Sequence, residues 1–118
     1  MFKEIVIGDK SFGFLATAST TYRYKQVFHE DLLVSLTDEK SAIIDTLELS
    51  HKLGYIMNMQ AEKADMNKLS YDKFLEWLDQ CEVKDMYGRV PDEIIAVFID
   101  NQKSMSNPKK KAAQPKEG

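Results

Sequence analysis

The feature that most constrains this chain is a long helical period in its middle. From near Asp38 onward, Ile43, Leu47, Leu53, Met57, Ala61 and Ala64 recur at three- to four-residue steps, apart from one longer gap. That spacing stacks apolar side chains along one side of an α-helix. Ile44 and Ile56 widen the stripe, so one face of this helix is expected to be buried. Gly54 lies inside it. Glycine weakens a helix interior by about 1 kcal/mol relative to alanine, which marks the place where a bend is expected.

The flanking segments are read as shorter elements around this helix. Residues 2–7 (Phe-Lys-Glu-Ile-Val-Ile) and 12–17 (Phe-Gly-Phe-Leu-Ala-Thr) are β-prone runs on either side of the turn-rich Gly8-Asp9-Lys10-Ser11, the pattern of a β-hairpin. Such a hairpin is marginal alone and needs something to pack on. Ser19-Thr20-Thr21 offers helix-capping hydroxyls ahead of a helix over Tyr22–Phe28. A second short helix is expected over Glu30–Leu36, with two acids at its positive end. Ser70 caps a further helix whose apolar face comprises Phe74, Leu75, Trp77 and Leu78. Glu82–Arg89 is polar and reads as a loop. Val90-Pro91-Asp92-Glu93 opens a last helix bearing Ile94, Ile95, Val97, Phe98 and Ile99. The expected fold is therefore α+β and mainly α, an N-terminal hairpin packed on about five helices. Its core includes Phe74, Trp77, Leu78, Ile95 and Phe98, with Trp77 set against Phe74 and the Phe98 helix.

Domain organisation follows from a change of composition. Residues 1–105 form one domain. Residues 106–118 hold no large apolar side chain and read as a disordered Lys-rich tail. The 118 residues suit one domain, and 43% hydrophobic with 30% charged residues argues against wholesale disorder. The body carries 12 Lys and Arg against 18 Asp and Glu, a net of −6, whereas the tail carries four Lys and one Glu, a net of +3. An acidic body favours basic or neutral partners. One cysteine excludes an internal disulfide framework and suggests a reducing compartment. Neither a signal pattern nor a run of 18 apolar residues is present, so the expectation is a cytoplasmic protein with no membrane partner.

The sequence offers little to a catalyst. Gly8-Asp9-Lys10-Ser11 follows an apolar strand as a phosphate-binding loop does. It has Asp9 and Glu4, however, where that motif needs glycine, and is read as a turn. His29 and His51 lie in different helices and have no ligand spacing with Cys81, so both are assigned to surface or capping roles and no metal is expected. Cys81 ends an apolar helix face and is assigned to packing. Tyr22-Arg23-Tyr24-Lys25 alternates aromatic and basic residues like a stacking platform for nucleic acid, though acidic surroundings oppose that use. No cofactor and no enzymatic activity are expected.

Several segments, in order, resemble the tail assembly chaperones of long-tailed phages and prophages of Gram-positive bacteria. The first is Phe2 to Phe12 followed by Ala16-Thr17-Ala18. The second is Tyr22 to Phe28 with Glu30-Asp31-Leu32-Leu33, which is similar to a Tyr-Arg then Phe-Gly-Asp-Leu pattern but has His29 where glycine is common. The third is Phe74-Leu75-Glu76-Trp77-Leu78, then Ile94-Ile95 and a Lys-rich end. Together they cover most of residues 1–111. The resemblance implies a protein that binds and solubilises the tape-measure protein in the host cytoplasm and is absent from the mature particle. It also implies a frameshifted longer form that recruits tail tube protein. The Lys109–Lys111 run is compatible with an A-rich slippery site. Adaptable methionines suit such binding, and Tyr22, Tyr24, Met57, Met59 and Met66 are the candidate contact residues. A homo-oligomer is compatible with the sequence. The alternative reading is a small nucleic-acid-associated regulatory protein.

Overall fold

The structure, a computed structural model, describes residues 1–37 and 43–106, with backbone alone at 35–37, 43–45 and 101–106. Its hairpin comprises β1 (Phe2–Ile7) and β2 (Lys10–Leu15), antiparallel with Ile7 opposite Lys10. Gly8 takes a positive φ of 66°, as a two-residue turn with glycine in first place requires. Side chains alternate, so Ile5, Ile7 and Phe14 are buried while Phe2, Glu4 and Val6 face out.

Six α-helices and one 3-10 turn follow among the described residues: α1 (Thr20–Phe28), α2 (Leu32–Thr37), α3 (Ile43–Ala61), the 3-10 turn Met66–Lys68, α4 (Tyr71–Asp79), α5 (Val83–Met86) and α6 (Val90–Ser106). The expected α+β, mainly helical class is the one observed. Several local expectations hold for the reasons given. Ser70 Oγ accepts from Lys73 N at 3.2 Å, and Asp92 and Glu93 sit in the first turn of α6. Asp31 caps α2, its Oδ1 accepting from the Leu33 and Val34 amides at 3.1 and 3.2 Å. Glu30, the other expected acid, pairs with Lys52 at 3.2 Å instead.

Other expectations are corrected. The segment 82–89 is not all loop. It winds into α5 and buries Met86 to 1% exposure while Val83 and Tyr87 stay exposed, because one side chain entering the core suffices to pin a single turn. α3 is buried on all sides from Leu49 to Asn58, not on one face, because the hairpin, α1, α2, α4 and α6 surround it. It runs as one helix through Gly54. A side chain there would place its Cβ 2.6 Å from Ile94 Cδ1, so the glycine marks a close approach of α3 and α6. Trp77 does not stack on α6. Its ring neighbours are Tyr55 at 5.6 Å and Phe12 at 6.1 Å, because α6 lies against α3 and the hairpin. Phe98 is fully buried there and Ile95 is half-buried. Ser19 makes no capping hydrogen bond; Thr20 Oγ1 instead accepts from Thr17 N at 2.8 Å. Of the expected tail, Ser106 is the last residue of α6 and residues 107–118 lie outside the described residues.

A candidate helix-binding groove between α3, α4 and α5

Helix α4 is built on a repeat of aromatic and leucine residues. Tyr71, Phe74, Leu75 and Leu78 fall at steps of three and four, one broad helical face. Phe74 is the anchor on one side, 5.4 Å edge-on to Phe28 and 5.7 Å from Tyr55. Trp77 anchors the other side. Its Nε1 donates to Asn58 Oδ1 at 2.8 Å, and Asn58 Nδ2 donates to the Gly13 carbonyl of β2 at 2.8 Å. One buried amide therefore joins α4, α3 and the hairpin.

On the Phe74 side, α4 and the N-terminal half of α3 border a groove of about 340 Å³ lined by Leu47, Glu48, His51, Leu75, Leu78 and the rings of Tyr71, Phe74 and Tyr87. Tyr71, Leu75 and Tyr87 are 50%, 39% and 63% exposed, so apolar side chains border the groove on the open side. The far end is closed by α5. His51 Nε2 donates to the Met86 carbonyl at 2.7 Å, and its ring meets Tyr87 edge-on at 5.4 Å. His51 is thus a buried fastener and not the surface or capping residue expected. His29 does cap a helix, in the left-handed conformation at the end of α1 (φ 59°, ψ 32°).

The other end of the groove is ionic. The Lys52 side chain is only 6% exposed, yet its Nζ lies 2.8 Å from Glu48 Oε2 and 3.2 Å from Glu30 Oε1. It also sits 5.2 Å from the Phe28 ring centre and 5.9 Å from that of Tyr71, within range of cation–π attraction. Burial acts to lower the Lys52 pKa, but hydrogen bonds to Glu48 and Glu30 outweigh it and the net direction is upward. The Tyr24 hydroxyl donates to Glu30 Oε1 at 3.3 Å. Burial first, then the Glu30 charge, pushes that phenol above its usual range.

The residues proposed from sequence for partner contact are not brought together. Tyr24 and Met57 are fully buried and Met66 is 7% exposed, so these three serve as core. Met57 is enclosed because α3 is buried on all sides from Leu49 to Asn58. Met59 lines a cleft of about 420 Å³ beside Phe12 and Trp77, and Met66 lines another of about 480 Å³ beside Arg23 and Lys63. Tyr22 is 76% exposed and alone of the five on open surface. The Tyr22–Lys25 platform is split accordingly: Tyr24 points inward and Arg23 Nε is held by Ser19 Oγ at 2.9 Å. Sequence reasoning missed Tyr71 and Tyr87, and took Leu75 and Leu78 for interior packing. The signal that could have found Tyr71 is the width of the α4 apolar face, which exceeds what one neighbouring helix covers; Tyr87, at the end of α5, carried no such signal.

Cys81 is buried, and its Sγ lies 3.5 Å from the Trp77 carbonyl. Burial, only partly offset by Lys10, pushes the thiol up to about 11, which keeps it protonated and a poor nucleophile near neutral pH. Among the described residues no three His, Cys, Asp or Glu side chains converge as a metal site, and no helix is long and apolar enough to cross a membrane. In comparison with known proteins, the chain matches no family, no curated protein and no solved structure.

Proposed function

We propose that this protein is a phage tail assembly chaperone that acts by binding alone. It covers apolar helical segments of a tape-measure protein in the host cytoplasm, keeps that protein soluble, and leaves before the tail is complete. The observation that carries the reading is the α3–α4–α5 groove, with half-exposed Tyr71 and Leu75 on one wall and Tyr87 at its end. A long helical protein exposing apolar surface aggregates unless covered, and a groove between two helices accepts an amphipathic helix. The ordered resemblance of Phe2–Phe12, Tyr22–Leu33 and Phe74–Leu78 to this class of chaperone supports the same role. The burial of Tyr24 weighs against the nucleic-acid alternative, since it removes half of the aromatic platform.

The test is co-expression of the full chain with the tape-measure protein of the same phage, followed by purification at low and high salt. The expected result is a soluble complex that survives high salt, because apolar burial is weakly screened whereas phosphate contacts are not. A tape-measure protein equally insoluble with and without this chain defeats the proposal. Nucleic acid that co-purifies at low salt and is lost at high salt replaces it with the alternative.

A further inference from the structure

We infer that the groove selects amphipathic helices that carry an arginine or lysine beside their apolar stripe, and that this cation docks on Glu48 next to the Tyr71 ring. The inference rests on the chaperone reading only for the source of the helix.

The shape comes first. Leu47 and His51 stand on α3, Tyr71, Leu75 and Leu78 on α4, and Tyr87 closes the end. Tyr71, Leu75 and Leu78 form a ridge at steps of four and three, and such a ridge fits the channel between two rows of side chains on a third helix. Charge then decides which helix. Glu30 and Glu48 share the single ammonium of Lys52, so this cluster carries a net −1. Lys52 is 6% exposed while the carboxylates are 48% and 50% exposed. An approaching chain therefore meets the acids and not the lysine. Along α4 the charges agree: residues 71–79 hold Asp72, Glu76 and Asp79 against Lys73. Glu48 and Tyr71 both line the groove, so a cation paired with the carboxylate also meets an aromatic ring. A helix flanked by acids meets repulsion at the same place.

The probes are three synthetic helical peptides about five turns long, with one shared Leu/Met stripe and flanks of Arg, Gln or Glu. Their binding to the full chain is read by fluorescence anisotropy at low and high salt. The Arg-flanked peptide is expected to bind about fivefold tighter than the Gln-flanked one at low salt, the scale of a half-exposed ion pair. The Glu-flanked peptide should bind weakest, and salt should narrow the spread. Glu48→Gln should abolish the Arg preference, so that the Arg- and Gln-flanked peptides bind alike. Leu75→Glu, at a half-exposed position, should weaken all three by at least about tenfold while the melting temperature holds. Equal affinities for the three peptides on the wild type, or binding indifferent to Leu75→Glu, overturn the inference. Solubilisation of the tape-measure protein separates this result from the function itself. If Leu75→Glu solubilises it as well as the wild type does, the chaperone role stands and the groove is the wrong surface. If the wild type fails to solubilise it while the peptides bind as expected, the groove stands and the role falls.

Discussion

Both ends of the Asn58 amide are used in the core, one on the Gly13 carbonyl and one on the Trp77 indole. Asn58→Ala strands two buried polar groups, and urea melts should show a loss of about 2–4 kcal/mol. Trp77→Phe removes one donor and keeps most of the ring. Combined with Asn58→Leu its effect should be less than additive, because the two changes remove the same bond. His29 offers the opposite sign. It occupies left-handed backbone at the end of α1, where a Cβ is strained and glycine is at ease. His29→Gly should therefore stabilise the protein by about 0.5 kcal/mol, net of the entropy glycine adds to the unfolded chain. Alkali should do the reverse. Tyr24, Lys52 and Cys81 all hold their protons more tightly when folded. Their contributions are intact below the unfolded values and are lost as pH rises. Cys81 acts between 9.0 and about 11, and Tyr24 and Lys52 from 10.0 and 10.5 upward. The urea midpoint should fall through that window, and Tyr24→Phe should blunt the upper part of the fall. A flat midpoint would show that these groups titrate alike in both states. The cap at His29 and the packing of Cys81 were legible in the sequence, and the Asn58 bridge was not. A lone Asn in a helix looks like any exposed polar residue until its two partners, from β2 and α4, are known.

Among the elements, α3 and α6 approach so closely at Gly54 that a methyl there overlaps Ile94 Cδ1. Gly54→Ala gains about 1 kcal/mol of helix propensity but overpacks a fully buried site, which costs about 1–3 kcal/mol. A net loss of about 1 kcal/mol is expected. Ile94→Val removes the offending methyl, so in the Gly54→Ala background it should cost less than alone, or even restore stability. Simple additivity in urea titrations would mean that the helices separate to make room. The hairpin, the Ser70 cap of α4 and the acidic start of α6 were all legible, because each is a local choice made by adjacent residues. α5 was not, since its stability comes from Met86 entering a core built elsewhere and from His51 holding the Met86 carbonyl. The groove was illegible for a related reason. Its walls are contributed by residues 47–51, 71–78 and 87, and only the fold brings them together.

At the scale of the molecule, every described layer leans on α3. β2, α1, α2, α4 and α6 all contact it, and the hairpin turn is tied in separately, Gly8 N donating to Asp85 Oδ2 at 2.7 Å and Arg89 to the Val6 carbonyl. Such an arrangement leaves little that can unfold alone, so the transition should be two-state. Far-UV circular dichroism, which reports all helices, and Trp77 fluorescence, which reports α4 against α3 and the hairpin, should give coincident urea curves. An earlier fluorescence transition would mean that α4 undocks first, and the groove with it. The encirclement of α3 also bears on how such a protein can change over generations. A helix with neighbours on every side has no position where a substitution is noticed only once, so drift there is held back from several directions. Tyr71, Leu75 and Tyr87 stand at the edge of the crowd and answer chiefly to whatever binds them. Descendants of this chain that diverge in the company they keep should therefore read alike along residues 49–58 and unlike at residues 71, 75 and 87.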